Sequence, residues 1–265
     1  MSALPKFFLK LAPKDVILLS LLVILVSSSL VVGIEKTWLQ ILVTCFVCIA
    51  LDVALNFVKK TKFFFPKAGL ITGLILSLVL PLEVNPLIAA FAAVVAIASK
   101  HLLRLERQQI FNTATFGLVA SGLLFKMPFG WWGDSIPWLV ILLGLVMVIR
   151  TRKELQVFGF VVTYTIVQYF FLKNSNTNSD LEILKTALAT NSWFFALFMV
   201  PEPVTSRLPF RLSPVFGFIA AAAGFNLALV KFTPISNNSL LLGLLVTNLI
   251  AYIYFYLQRR ESRVP

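Results

Sequence analysis

"LFMVPEPVTSR", residues Leu197 to Arg207, closes an apolar run with two prolines around a glutamate. Proline has no backbone N–H and its ring crowds the preceding turn, so a helix entering this stretch ends there. An earlier stretch, "FPKAGLITGLILSLVLPLEVNP" (65–86), has the same form: a short apolar helix, then Pro81 with Glu83 close behind. Two short helices that end alike, one in each half of the chain, predict an internal duplication.

Hydropathy sets the class. The chain has 265 residues, 59% hydrophobic, with a mean hydropathy of +0.92. Only 13% are charged, against about a quarter in soluble domains. Apolar runs of bilayer-crossing length recur from end to end. Alternating strand patterns are absent, which argues against a membrane β-barrel. The sequence therefore predicts an all-α polytopic membrane protein of ten transmembrane helices. The spans fall at 15–33, 37–58, 66–81, 86–103, 112–126, 136–150, 155–172, 183–200, 213–231 and 239–257.

A net charge of +12 would suit nucleic acid if it formed one patch. Instead the cations sit in short loops between apolar segments, so the expected partner is the lipid bilayer and no nucleic acid is implied. With the N-terminus cytoplasmic, eighteen of the 23 Lys and Arg fall on the inner side and five on the outer (Lys36, Lys126, Lys173, Lys185 and Lys231). That asymmetry is the one that orients membrane proteins, and it predicts a plasma (inner) membrane protein with both termini cytoplasmic. Acidic residues split evenly between the sides. Five spans per half is an odd number, so the second half enters the membrane inverted. The predicted units are a basic amphipathic segment 1–14, repeats at 15–126 and 127–258, and a basic tail 259–265. Lys6, Lys10 and Lys14 would lay one face of segment 1–14 on anionic lipid. The first apolar run ends in "SSS", but the hydrophobic segments that follow make it a span rather than a signal peptide.

Three further stretches carry a family resemblance: "AGLITGLILSLVLP" (68–81), "SKHLLRLERQQIFNTATFGL" (99–118) and "FFALFMVPEPVTS" (194–206). In order and spacing they resemble the RnfD/NqrB family, the membrane flavoproteins of the Rnf electron-transport complex and of the Na⁺-translocating NADH:quinone reductase. The resemblance covers nearly the whole chain. It implies a ten-helix flavoprotein of two inverted repeats, carrying electrons across the membrane in step with Na⁺ or H⁺. Family members bear FMN on a threonine of an S-G-A-T sequence between the fifth and sixth spans. Here that connection is only "KMPFGWWGDSIP" (126–137) and no S-G-A-T occurs, so covalent FMN is excluded at that position. Ser99, Thr113, Glu202 and Arg207 also depart from the pattern. The expectation is a short, divergent relative that binds FMN or riboflavin noncovalently, if it binds flavin at all.

The resemblance assigns Thr72, Gly73, Asn112, Thr113, Thr115, Thr205 and Ser206 to the neighbourhood of the flavin. Each has a plainer reading. Gly73 lets helices approach and Thr72 can bond its own backbone. Asn112, Thr113 and Thr115 can cap the fifth span, and Thr205 or Ser206 the ninth. Asp52, Glu202 and His101 are ion-coupling candidates. A carboxylate inside a span costs roughly 2.5–3.5 kcal/mol, so Asp52 should face protein; alternatively it pairs with Lys59 or Lys60. Glu202 sits beside carbonyls left open by Pro201 and Pro203, or it is loop punctuation. Lys100 and His101 either gate protons or anchor a helix end. Cys45 and Cys48 form a C-x-x-C without a second pair and read as packing. Trp131, Trp132 and Trp138 read as an aromatic belt, and 173–180 as a polar loop. No catalytic residue and no metal set is indicated.

Three functions fit this reading. The first is a membrane subunit of a flavin-dependent electron-transport complex, working with a cytoplasmic flavin or iron–sulfur reductase. The second is a small-solute transporter or channel of the same architecture. The third is a docking platform whose basic inner loops attract a soluble reductase.

Overall fold

The structure, a computed structural model, describes residues 12–59, 66–105, 108–175, 179–206 and 208–261. The segment 1–11, and with it Lys6 and Lys10, lies outside them, as do 176–178 and 262–265.

The longer helices are α1 (Pro13–Val32), α2 (Ile34–Val58), α3 (Lys67–Val79), α4 (Pro86–Leu102), α5 (Thr113–Phe125), α6 (Pro137–Thr151), α7 (Glu154–Ser175), α8 (Asp180–Ala189), α9 (Ser213–Ala228) and α10 (Ser239–Glu261), with a single helical turn, Thr233–Ser236, before α10. A π-helical turn, Phe195–Met199, stands between α8 and α9. Two residue pairs, Arg104–Leu105 and Gln108–Gln109, form a minimal antiparallel ladder. Five helical segments are long and apolar enough to cross a membrane: Pro13–Val32, Ile34–Val58, Glu154–Asn174, Phe210–Ala228 and Ser239–Arg259. This is an all-α membrane protein.

The second helix buries a mainly polar face. The buried residues of α2 are Thr37, Gln40, Thr44, Cys48 and Asp52, one face at helical spacing. Its opposite side carries Leu42 and Phe46, both exposed. Polar groups turn inward because hydrocarbon offers them no partner. Small residues then let backbones close up. A Cβ on Gly73 would lie 2.7 Å from Cys45 Cα, and one on Gly117 2.4 Å from the Ala92 carbonyl. Gly33 joins α1 to α2 at φ 104°, a conformation that L side chains rarely adopt.

The packing order is simple. α2 lies against α3 and α4, α4 against α5, and α1 against α3. Further along, α7 lies against α8 and α9, α9 against α10, and α6 against the Phe195–Met199 turn. The two sets meet where α1 touches α6 and α5 touches α10.

Three expected elements need correction. The segment at 183–200 is not one helix: α8 ends at Ala189 and the chain restarts after Ser192. The last helix outruns its expected span of 239–257, because α10 continues to Glu261. Similarly, α7 runs to Ser175, so the first part of the expected 173–180 loop is helical.

Candidate functional site

α3 has 13 residues, about 20 Å at 1.5 Å per residue, short of the roughly 30 Å hydrocarbon core. Its last turns, Leu74 to Leu80, are all buried. Pro81 has no N–H, so the Ser77 carbonyl lacks its helical donor. Gln40 of α2 supplies one: its Nε2 donates to Ser77 O at 2.7 Å and to Leu80 O at 3.4 Å. At the second proline break, Gln156 of α7 donates through Nε2 to Val200 O at 2.7 Å. The carbonyl one residue earlier, Met199 O, would face the missing N–H of Pro203; it accepts from Asn112 Nδ2 at 3.4 Å. Both glutamines are buried, and each leaves its Oε1 without a partner among the described residues. Neither glutamine stood out in the sequence.

The other end of the broken segment is capped from a distance. Asp134, in the short 5–6 connection, accepts from the Phe194 N–H at 2.7 Å and from Ser192 Oγ at 2.6 Å. Burial pushes its carboxyl above the ordinary aspartate value of 3.8, against the pull of those two hydrogen bonds. The same connection reaches α3, where the Gly130 and Trp131 N–H groups donate to Val79 O. Trp132 is therefore buried in the core rather than placed in an aromatic belt, whereas Trp138 is exposed. The loop that carries covalent FMN in the resembled family serves here as a clasp between α3 and the break.

Asp52 is 2% exposed and is paired, though not with Lys59. Lys100 Nζ reaches its two oxygens at 2.7 and 2.8 Å, and His101 Nε2 lies 3.0 Å from Oδ1. A carboxylate only accepts, so Nε2 carries the hydrogen. Lys59 Nζ then donates to His101 Nδ1 at 3.2 Å. Lys60 lies outside the described residues. Asp52, Lys100 and His101 thus form one cluster at the ends of α2 and α4.

Glu202 makes a local turn. Its Oε2 accepts from Thr205 Oγ1 at 2.5 Å, and its carbonyl accepts from Ser206 Oγ at 2.6 Å. Neither hydroxyl caps the next helix, since α9 opens without a side-chain cap. Lys153 donates to Ser206 O at 2.5 Å, and burial lowers its amine's pKa.

The residues assigned to flavin fall into two groups. Thr72 bonds Ala68 O at 2.9 Å and, with Gly73, lies in the tight α2–α3 seam. Asn112 caps α5 through Thr115 N at 3.0 Å, and its own N–H donates to Asn248 Oδ1 of α10 at 2.9 Å; Thr113 and Thr115 are buried beside it. Thr205 lies across from the 108–109 strand, and the gap between them and α10 holds only about 10 Å³, room for about one water. An isoalloxazine ring does not fit there. Two larger hollows lie elsewhere: about 440 Å³ between α7 and α8, and about 620 Å³ beside Arg152 and Ser213. Cys45 and Cys48 are free thiols, and no group able to hold a metal occurs among the described residues.

A scan against known protein families finds no matching model, and a search of curated proteins finds no match.

Proposed function

We propose that the protein is the membrane subunit of an electron-transport complex of the plasma membrane. It would have ten spans in two inverted five-helix repeats, with both termini cytoplasmic. The observation that carries this reading is the correspondence of packing between the halves. Contacts of α2 with α3 and α4, and of α4 with α5, correspond to those of α7 with α8 and α9, and of α9 with α10. Gln40 and Gln156 hold corresponding proline-ended helices. Those proline-ended stretches are among the ones that carry the resemblance. An inverted repeat whose paired half-helices end inside the bilayer is the architecture in which membrane proteins build central sites.

The gap beside Thr205 holds only about 10 Å³, so the chain acts in this reading as scaffold and docking face. The flavin, FMN or riboflavin held noncovalently, would lie at a boundary shared with a partner such as a cytoplasmic flavin or iron–sulfur reductase. Basic inner loops supply the attraction for that partner. The test is purification from native membranes in mild detergent, with a visible spectrum and identification of co-purifying chains. Flavin absorbance together with a reductase is the expected result; a solitary, colourless protein refutes the reading. Fold alone does not dictate function, and the missing S-G-A-T favours the second reading, a small-solute transporter. Solute flux in proteoliposomes that is lost in Glu202→Ala would establish it.

A further inference from the structure

Where α6 turns into α7, a groove of about 620 Å³ is lined by Arg152, Lys153 and Glu154 on one side and by Leu208, Phe210 and Ser213 on the other. Two helices begin on it, α7 at Glu154 and α9 at Ser213. They are closely packed, for a Cβ on Gly159 would lie 2.4 Å from the Pro214 carbonyl. The start of α7 turns the positive end of its helix dipole toward the groove, whereas at α9 the Ser213 N–H already donates to Phe210 O and Pro214 has no N–H.

Ser213 is the second, independent pointer. It is 3% exposed, yet its Oγ has no hydrogen-bond partner among the described residues. A buried hydroxyl in that state costs free energy until something bonds it. Arg152 is exposed, held in a left-handed turn that closes α6. Among the described residues no salt bridge engages it. Lys153 adds a second cation behind it, tied to Ser206 O. The lining includes one carboxylate, Glu154, which is exposed at the start of α7. Phe210 is 60% exposed, and Leu212 and Val215 beside it are exposed too, so the groove opens onto an apolar surface.

We propose that this groove binds a phosphate group. Its oxygens would accept from Ser213 Oγ and from the Arg152 guanidinium, beside the positive end of α7. Phosphate chemistry has two sources here, an anionic phospholipid headgroup or a free phosphate. The apolar flank at Phe210 and Leu208 matches the lipid, whose acyl chains would lie against it.

The test uses the full-length protein in neutral detergent. Thermal unfolding is followed with added phosphatidylglycerol, phosphatidylcholine or inorganic phosphate, alongside native mass spectrometry for retained lipid. Phosphatidylglycerol should raise the midpoint and survive as a one-to-one adduct. Arg152→Glu and Ser213→Ala should each weaken its apparent affinity about tenfold or more, as expected for a lost charge-assisted hydrogen bond. Arg152→Glu should leave the lipid-free midpoint unchanged, because that side chain is exposed, and Ser213→Ala should raise it, because it removes a buried hydroxyl that makes no bond there. Equal stabilisation by inorganic phosphate, lost in the same variants, supports the site with a free phosphate as its source. Equal response to phosphatidylcholine, indifference to both substitutions, or no response to any of the three probes overturns the proposal.

Discussion

Replacing Asp52 by asparagine should be among the most damaging conservative changes in the chain. The side chain keeps its size and loses its charge, while the groups around it stay. Lys100, whose side chain is 11% exposed, would hold an ammonium with no counter-charge, and Lys59 stands a second ammonium on the far side of His101. Removing one partner of a buried ion pair costs about 3–5 kcal/mol, whereas replacing both by neutral groups costs far less. Asp52→Asn and Lys100→Met should each destabilise by that amount, and the double variant should cost less than either, falling short of their sum by more than about 3 kcal/mol. Reversible unfolding in mixed micelles, titrated with dodecyl sulfate and read by tryptophan fluorescence, measures all four corners of the cycle. Additive single effects, or a cost for Asp52→Asn under about 1 kcal/mol, would refute the buried-pair reasoning. They would return Asp52 to the role of an exchangeable relay carboxylate.

Other substitutions probe the packing and the helix ends. A Cβ on Gly217 would lie 2.1 Å from the Gln156 carbonyl and 2.5 Å from Phe160 N. Both are backbone atoms, so Gly217→Ala should cost about 1–3 kcal/mol or block folding. Gly224→Ala meets first the tip of Leu240 at 3.1 Å and should cost less than about 1 kcal/mol in the same titration. Gln40→Leu and Gln156→Leu should each cost about 1–3 kcal/mol by stripping a donor from a buried carbonyl; a cost at only one of them would count against the equivalence of the halves. Asp134 supplies a pH signature. Its folded pKa is raised, so the neutral form is favoured in the native state. Its contribution relative to Asp134→Asn is then fully present below 3.8 and lost as pH rises through the raised value. Unfolding midpoints of the two proteins should diverge accordingly across the acid range, and parallel curves would show that the carboxyl is not held up by burial.

Much of the helical layout was legible because proline and charge punctuate it. The third apolar run ends where Pro81 says it must, and Asn112 caps α5 as its position before the apolar run allowed. The break inside the eighth segment was not legible to a hydropathy window, which averages over a whole span and passes across Thr190, Asn191 and Ser192. That cluster was nonetheless a turn signal. Trp132 went to the aromatic belt because a buried tryptophan and an interfacial one look alike in one dimension; only its burial in the fold separates it from Trp138.

The glutamines were missed for a subtler reason. Asp52 drew attention through its charge, while Gln40 and Gln156 carry none and hide in apolar runs. Yet the physics is the same for both kinds of residue. In hydrocarbon no water satisfies a carbonyl that proline has robbed of its donor, so each proline within an apolar run demands an amide or hydroxyl from another helix. Ser77 O finds Gln40, and Met199 O finds Asn112. Each match crosses from one helix to another, which is why no reading of a single segment could pair them. Uncharged amides inside spans are thus the residues to set against proline breaks: such pairings fix which helices meet before any contact is seen.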